Sequence, residues 1–288
     1  MSQTLTIVVT GANRGIGQGI IQLLACTTST LPFHIIATSR SGNDLNISAT
    51  SPNSVSYAKL DISSSSSIKS FFQETHHIDV LINNAGVNNN DNETPELAAQ
   101  TIDVNYKGTR DMCIAALRGG TMKRIVNVSS TASNLNNYDK RIQDRFHAVN
   151  NIADVDDLAK DYVESVKAGD NAQKEAGFGS PPKSYQVSKA LMNALTVVLA
   201  KKNPDVLINC CCPGWVDTDM GHQVGKPPKT LEEGARIPVR LAVGELGKKG
   251  DADGGVVHGN VDASEKVSGR YFGNESVSGR GWGKVREW

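Results

Sequence analysis

The sequence predicts an α/β protein built on a doubly wound, mostly parallel sheet. Two observations carry this. Apolar runs of strand length alternate with segments of helical periodicity, and the first strand–helix junction holds a glycine-rich turn. Apolar runs that stay continuous, instead of alternating with polar residues, belong to strands buried on both faces by helices.

The elements follow in order. "TLTIVV" (4–9) reads as the first strand, followed by a helix from Gly15 to Leu24. "FHIIAT" (33–38) and "SVSYAKLDI" (54–62) are the next strands. The serine run 63–67 opens a helix reaching Glu74, with one serine capping it. "IDVLIN" (78–83), a polar loop "NNNDNE" (88–93), a helix from Glu96 to Leu117 and the strand "RIVNVSS" (124–130) complete the first half. Residues 131–183 form a polar insertion with helical periodicity around 154–167 and a Gly/Pro-containing loop before Ser184. The pattern then resumes with a helix to Ala200, the strand "VLINCC" (206–211) and a helix over 230–243. Residues 248–288 read as an irregular C-terminal region, in which "GRYF" (269–272) is preferred over "GGVVHG" (254–259) as the last strand. The whole chain, 1–288, is expected to be one domain.

Composition narrows the function. Thirty basic and thirty acidic residues cancel, so nothing steers the chain towards nucleic acid or an anionic membrane. No apolar run reaches the roughly 18 residues of a membrane span, and "MSQTLTIVVT" lacks the features of a signal peptide. Cys26, Cys113, Cys210, Cys211 and Cys212 suit neither a disulfide framework nor a zinc site. A reduced, cytoplasmic protein without a metal is expected.

"VVTGANRGIGQGI" (8–20) places Gly11, Gly15 and Gly17 where the chain passes from strand to helix. Glycines there let the backbone approach a pyrophosphate at the helix N-terminus, the mark of a Rossmann-type nucleotide site. The turn residues Gly11, Asn13, Arg14, Gly15, Ile16 and Gly17 are therefore candidate cofactor contacts. The second strand ends in Ser39 and Arg40 and has no acid to hold a ribose 2′-hydroxyl. Arg14 and Arg40 instead offer two guanidinium groups to a 2′-phosphate, favouring NADP(H) over NAD(H).

"KSYQVSKAL" (183–191) stacks Tyr185 and Lys189 one helical turn apart on one face. By themselves they are either surface decoration or an acid with the charge that tunes it. Together with "TGANRGIG", "LDI" (60–62), "NNAG" (83–86), "VNYKG" (104–108), "VNVSS" (126–130) and "CCPGWVDTDM" (211–220), the stretch "YQVSK" resembles the short-chain dehydrogenase/reductase family over nearly the whole chain. The resemblance implies that Tyr185 is the catalytic acid, Lys189 its partner and Ser130, rather than Ser129, the serine that holds the substrate carbonyl. It implies that Asn105 bends a helix and orients the lysine through water. Asp61 and Ile62 would lie at the adenine, Asn84 along the cofactor cleft, and Val216 and Thr218 at the nicotinamide carboxamide and phosphates.

The chemistry suits those residue types. Carbonyl reduction leaves charge developing on oxygen, which a proton donor and a hydrogen bond stabilise. Lowering a tyrosine from near 10 by about three units takes roughly 4 kcal/mol. An ammonium about 4 Å away at an effective dielectric near 20 supplies that amount. Lys189 is thus expected to pull the phenol down.

Ser130 and Tyr185 are 55 positions apart, much further than in most of the family. With "EEGA" (232–235) and the terminal "VREW", this resembles the branch of monomeric NADPH-dependent carbonyl reductases, which carry a helical insertion there. The resemblance implies a monomer acting on a small carbonyl substrate, with Ser130, Trp215 and Met220 at an apolar pocket for aldehydes, ketones or quinones. An NADP-dependent alcohol or steroid-type dehydrogenase uses the same chemistry. A non-catalytic NADP(H) sensor would need the glycine turn without the acid. A sugar epimerase or dehydratase more often has a differently spaced turn.

Overall fold

The computed structural model describes residues 4–246 and 267–288. Among the described residues, eight strands form one sheet in the order β3-β2-β1-β4-β5-β6-β7-β8. They are β1 (Leu5–Val9), β2 (Phe33–Ser39), β3 (Ser54–Lys59), β4 (Val80–Asn83), β5 (Arg124–Val128), β6 (Leu207–Cys211), β7 (Tyr271–Gly273) and β8 (Lys284–Arg286). The first seven pair in parallel, and β8 runs antiparallel to β7. Ile7 sits between Ile35 of β2 and Val80 of β4, where the strand order reverses. Loops from neighbouring strands diverge at such a reversal and leave a crevice at the strands' carboxyl ends.

Helices cover both faces, as the continuous apolar strands require. On one face α1 (Gly15–Cys26) and α10 (Leu231–Val243) bury Ile20, Ile21, Leu24, Ile237 and Val239 against Ile7, Val9, Ile35 and Ile82. On the other, α2 (Ser65–Glu74), α4 (Thr109–Arg118) and α8 (Ser184–Lys202) bury Phe71, Met112, Val187, Leu191 and Leu195 against Val8, Leu81 and Ile125. Ser64 caps α2 by accepting a hydrogen bond from the Ser67 N–H. Among the described residues, no helix is long and apolar enough to cross a membrane.

Several sequence expectations change here. The third strand stops at Lys59, since Leu60 turns into the loop whose Asp61 N–H donates to Ser67. The helix expected from Glu96 to Leu117 is α3 (Pro95–Ile102), a π-helical turn over Asp103–Gly108, then α4. The insertion carries three helices: α5 (Lys140–His147), α6 (Ile152–Lys167) and α7 (Asp170–Glu175). They gather on aromatic contacts, with Tyr138 stacked on Phe146 and Tyr162 edge-on to Phe178 at 5.2 Å. α6 packs on α3 and α8, which explains why α8 is buried nearly all round. In the C-terminal region, "GRYF" contributes β7 but is not the last strand, because β8 follows it and completes the edge. "GGVVHG" lies outside the described residues.

Candidate active site

The crevice is built first from glycines. Gly11 has φ +63°, and a Cβ there would lie 2.8 Å from the Ala85 Cα. A Cβ on Gly17 would collide with the Gly11 carbonyl and come within 2.6 Å of Asn84 Nδ2. Asn84 pins the turn from below, donating through Nδ2 to the Thr10 and Gly11 carbonyls at 3.0 and 3.1 Å. Arg14 stands at the N-cap of α1 without a capping side chain, and no carboxylate occupies the first turn. An uncapped helix end with a backbone that admits no side chains fits a nucleotide pyrophosphate.

The outer residues vary in placement. Asn13, Arg14 and Arg40 are exposed, while Ile16 is half-buried. Arg14 pairs with Asp219 at 2.8 Å, so its contact here is with the loop after β6 and not with the end of β2. Both partners are well exposed, and such a pair is worth at most about 1 kcal/mol, a small barrier to re-pairing with phosphate. Arg40 lies near Asp61, whose carboxyl is held low by the Ser63 hydroxyl first and by the Arg40 charge last. Ile62 is buried beside them.

After β6 the chain returns to the same crevice. Val216 is buried and bridges to Lys229. Thr218 caps the short α9 (Asp219–His222) and sets its methyl 3.1 Å from where a Gly15 Cβ would be. Trp215 donates through Nε1 to the Gly221 carbonyl at 2.9 Å, and Met220 lies half-buried on α9. Sequence reasoning missed Lys229, which is 1% exposed and donates to the Pro213 carbonyl at 2.7 Å, anchoring this loop. Its only sequence signal is a lysine directly before the α10 cap Thr230.

Ser130, Tyr185 and Lys189 meet between β5 and α8. Ser129 is buried and turned to the Lys189 carbonyl, whereas the Ser130 hydroxyl accepts from the Ala132 N–H at 3.1 Å and lies close enough to the Tyr185 phenol to lower it. The Lys189 ammonium donates to the Val128 carbonyl at 2.8 Å and lies 5.6 Å from the centre of the Tyr185 ring. Asn105, on the π turn, accepts from the Val87 N–H and donates to the Val87 carbonyl and the Ser188 hydroxyl. Its amide and the Lys189 ammonium lie 3.1 and 3.7 Å from the point a Gly86 Cβ would occupy, so both border one patch of backbone.

The electrostatics correct one expectation. Desolvation pushes the Tyr185 phenol up to about 12, against the lowering effect of the Ser130 hydroxyl. Burial also brings Lys189 down to about 8. In the protein alone, burial of both groups outweighs the attraction that the helical spacing suggested, and the ammonium is committed to Val128. Cys212, just past β6, is buried, and its sulfur accepts from the Gly214 N–H at 3.3 Å.

A mostly parallel sheet with a glycine-lined crevice, and this serine, tyrosine and lysine beside it, set the fold and the candidate site. The chain belongs to the short-chain dehydrogenase/reductase family. A family profile described as short chain dehydrogenase matches residues 5–140. The chain is 31% identical to short-chain dehydrogenase/reductase 1 of Saponaria officinalis, over 86% of this chain and 92% of that one. It is 35% identical to carbonyl reductase (NADPH) 3 of Rattus norvegicus, over 82% of this chain and 89% of the relative. In fold it is similar to the salutaridine reductase structure from Papaver somniferum, with a TM-score of 0.69, 24% identity and coverage of 93% and 99%.

Proposed function

We propose that this protein reduces carbonyl compounds (aldehydes, ketones or quinones) to alcohols with NADPH. The single observation that carries the reading is the Lys189 ammonium set 5.6 Å from the centre of the Tyr185 ring, with Ser130 beside the phenol, at the crevice that begins at the glycine turn. When bound, the nicotinamide would supply hydride to the carbonyl carbon. Gly11–Gly17 and the α1 N-terminus would hold the pyrophosphate, Arg40 and Arg14 the 2′-phosphate, Asp61 and Ile62 the adenine side, and Val216 and Thr218 the nicotinamide side. Lys189 would hold the ribose.

Ser130 orients the substrate oxygen and Tyr185 gives it a proton as charge develops there. A phenol near 12 stays protonated at neutral pH. It is therefore charged with the proton that reduction consumes, while oxidation of an alcohol would need it as phenolate. This supports reductase over dehydrogenase. A nucleotide sensor has no use for half-buried Ser130 and Tyr185 set beside a buried Lys189. Trp215 and Met220 would flank the substrate. All five cysteines are free, in keeping with a reducing cytoplasmic setting.

The test is NADPH oxidation across a panel of aldehydes, ketones and quinones by wild type and Tyr185→Phe. Turnover in the variant should fall by about a hundred- to ten-thousandfold while NADPH still binds. Retention of most of the rate would remove Tyr185 from the chemistry. The insertion covers the outer side of α8, so the protein should also sediment as a single 30.8 kDa species. A stable dimer in analytical ultracentrifugation would show that the insertion leaves an association surface open.

A further inference from the structure

The helix that carries Tyr185 and Lys189 begins without a cap of its own. Its N-cap position is Lys183, which supplies no capping side chain, and no acidic residue lies in the first turn. The first N–H groups of a helix have no partner within it, so a buried start needs acceptors from elsewhere. Here they come from about ninety residues away. Glu93 Oε1 accepts from the Lys183 and Ser184 N–H groups, each at 2.9 Å, and Oε2 accepts from Lys183 at 3.1 Å. Asn90 Oδ1 accepts from the Ser184 hydroxyl and the Tyr185 N–H, both at 3.2 Å. Asn90 Nδ2 donates to the Gln186 side chain at 2.8 Å.

The same loop is fixed from several directions. Tyr162 of the insertion donates to Glu93 Oε2 at 3.5 Å. Asn89 donates to Thr101 on α3, and Asn88 exchanges bonds with Gln223 just past α9. Just before it, the Val87 backbone is bound in both directions by Asn105. The loop therefore joins the end of β4 to the start of α8, the insertion and the α9 segment.

We propose that Asn90 and Glu93 are positioning residues that set Tyr185 in register with Ser130, acting through the first backbone amides of α8. This rests on the reading of Tyr185 as the acid. Asn90 holds the amide of Tyr185 itself, so losing it lets the first turn fray at the residue whose hydroxyl must meet the substrate. Lys189, one turn further in, is held independently by the Val128 carbonyl. The proposal therefore separates proton delivery from cofactor binding.

The chemistry of the contacts also selects the variants. In Glu93→Gln the amide oxygen can take over both N–H groups, and the amide nitrogen can donate to the Tyr162 oxygen. Glu93→Leu removes every acceptor. Asn90→Asp keeps the acceptor for Tyr185, and Asn90→Leu does not.

The experiment pairs NADPH titration and thermal unfolding with single-turnover reduction of one carbonyl substrate, for these four variants and Tyr185→Phe. Glu93→Leu and Asn90→Leu should each slow hydride transfer by about ten- to a hundredfold, the scale of a small misplacement at a reacting group. NADPH Kd should stay within about threefold, and Glu93→Gln and Asn90→Asp should recover most of the lost rate, as replaced acceptors predict. Wild-type rates in both leucine variants would overturn the proposal. So would a gln or asp variant as slow as its leucine counterpart, or a rate loss matched by lost NADPH binding. If Glu93→Leu does not fold, the Asn90 pair decides alone. If Tyr185→Phe keeps its rate, it is the acid assignment that fails, and the two failures are told apart.

Discussion

Two helix starts face the crevice, and they are finished in opposite ways. α1 begins at exposed Arg14 with no capping side chain and no carboxylate in its first turn. α8 begins at Lys183, and its first amides are filled by Glu93 and Asn90. An open start keeps N–H groups and the positive end of the helix free for an anion, whereas a filled one holds a side chain in place. The difference shows that one structural problem, the unpaired amides of a first turn, serves binding at one site and positioning at the other.

The sharpest way to break the comparison is to crowd the open start. A Cβ at Gly17 meets the Gly11 carbonyl and Asn84, both fixed. Gly17→Ala should weaken NADPH binding by about ten- to a hundredfold, from an overpacking cost of about 1–3 kcal/mol. The check is a fluorescence titration, and an unchanged Kd would remove the turn from the site. Arg40→Ala acts further out. It should lower the NADPH-over-NADH ratio of kcat/KM by about ten- to a hundredfold, for a charged hydrogen bond of about 1.5–3 kcal/mol. An unchanged ratio would leave NADP(H) preference without its main support.

The smallest effect concerns the α8 side and is read by pH. Lys189 titrates near 8 when buried, well below an exposed lysine. Its charge is present below that pH and lost above it, so reduction should be flat on the acid side and decline as pH rises through about 8. Oxidation of the alcohol product should instead climb with pH, since it needs the phenolate of a group near 12. Reductive rates that keep rising to pH 10 would contradict the assigned charge. For stability the sign runs the other way. The folded protein binds fewer protons at Lys189 than the unfolded chain between about 8 and 10.5, so this group alone makes stability rise with pH across that window.

Much of the architecture was legible because its signals are local. The glycine turn, all seven parallel strands and the helix of Tyr185 and Lys189 can be read from neighbouring residues. β8 was not, because Lys284, Val285 and Arg286 are all exposed and give an edge strand no apolar pattern. α5 and α7 are short; α5 rests on the ring contact of Phe146 with Tyr138, and α7 on buried Gln173, which donates to the Gly179 carbonyl. At the site, residue types were legible and their electrical state was not, since the shifts of Tyr185 and Lys189 come mainly from burial. The pairing of Arg14 with Asp219 and the support of α8 by Glu93 span long separations along the chain. A signal for the second existed in the sequence: a helix opening on Lys183, with no capping residue, must borrow its acceptors.

The π turn at Asp103–Gly108 has a consequence for how this chain can change over generations. A π turn amounts to one residue inserted into an α-helix. Deleting a residue there would restore a continuous α-helix and leave Met112, Cys113 and Ala116 of α4 in the interior. It would remove the bulge that carries Asn105 to the Val87 backbone and Ser188. Substitutions can sample this segment one side chain at a time, but its length is held by the crevice. Lineages that descend from this chain should therefore vary in the composition of the turn and not in its residue count.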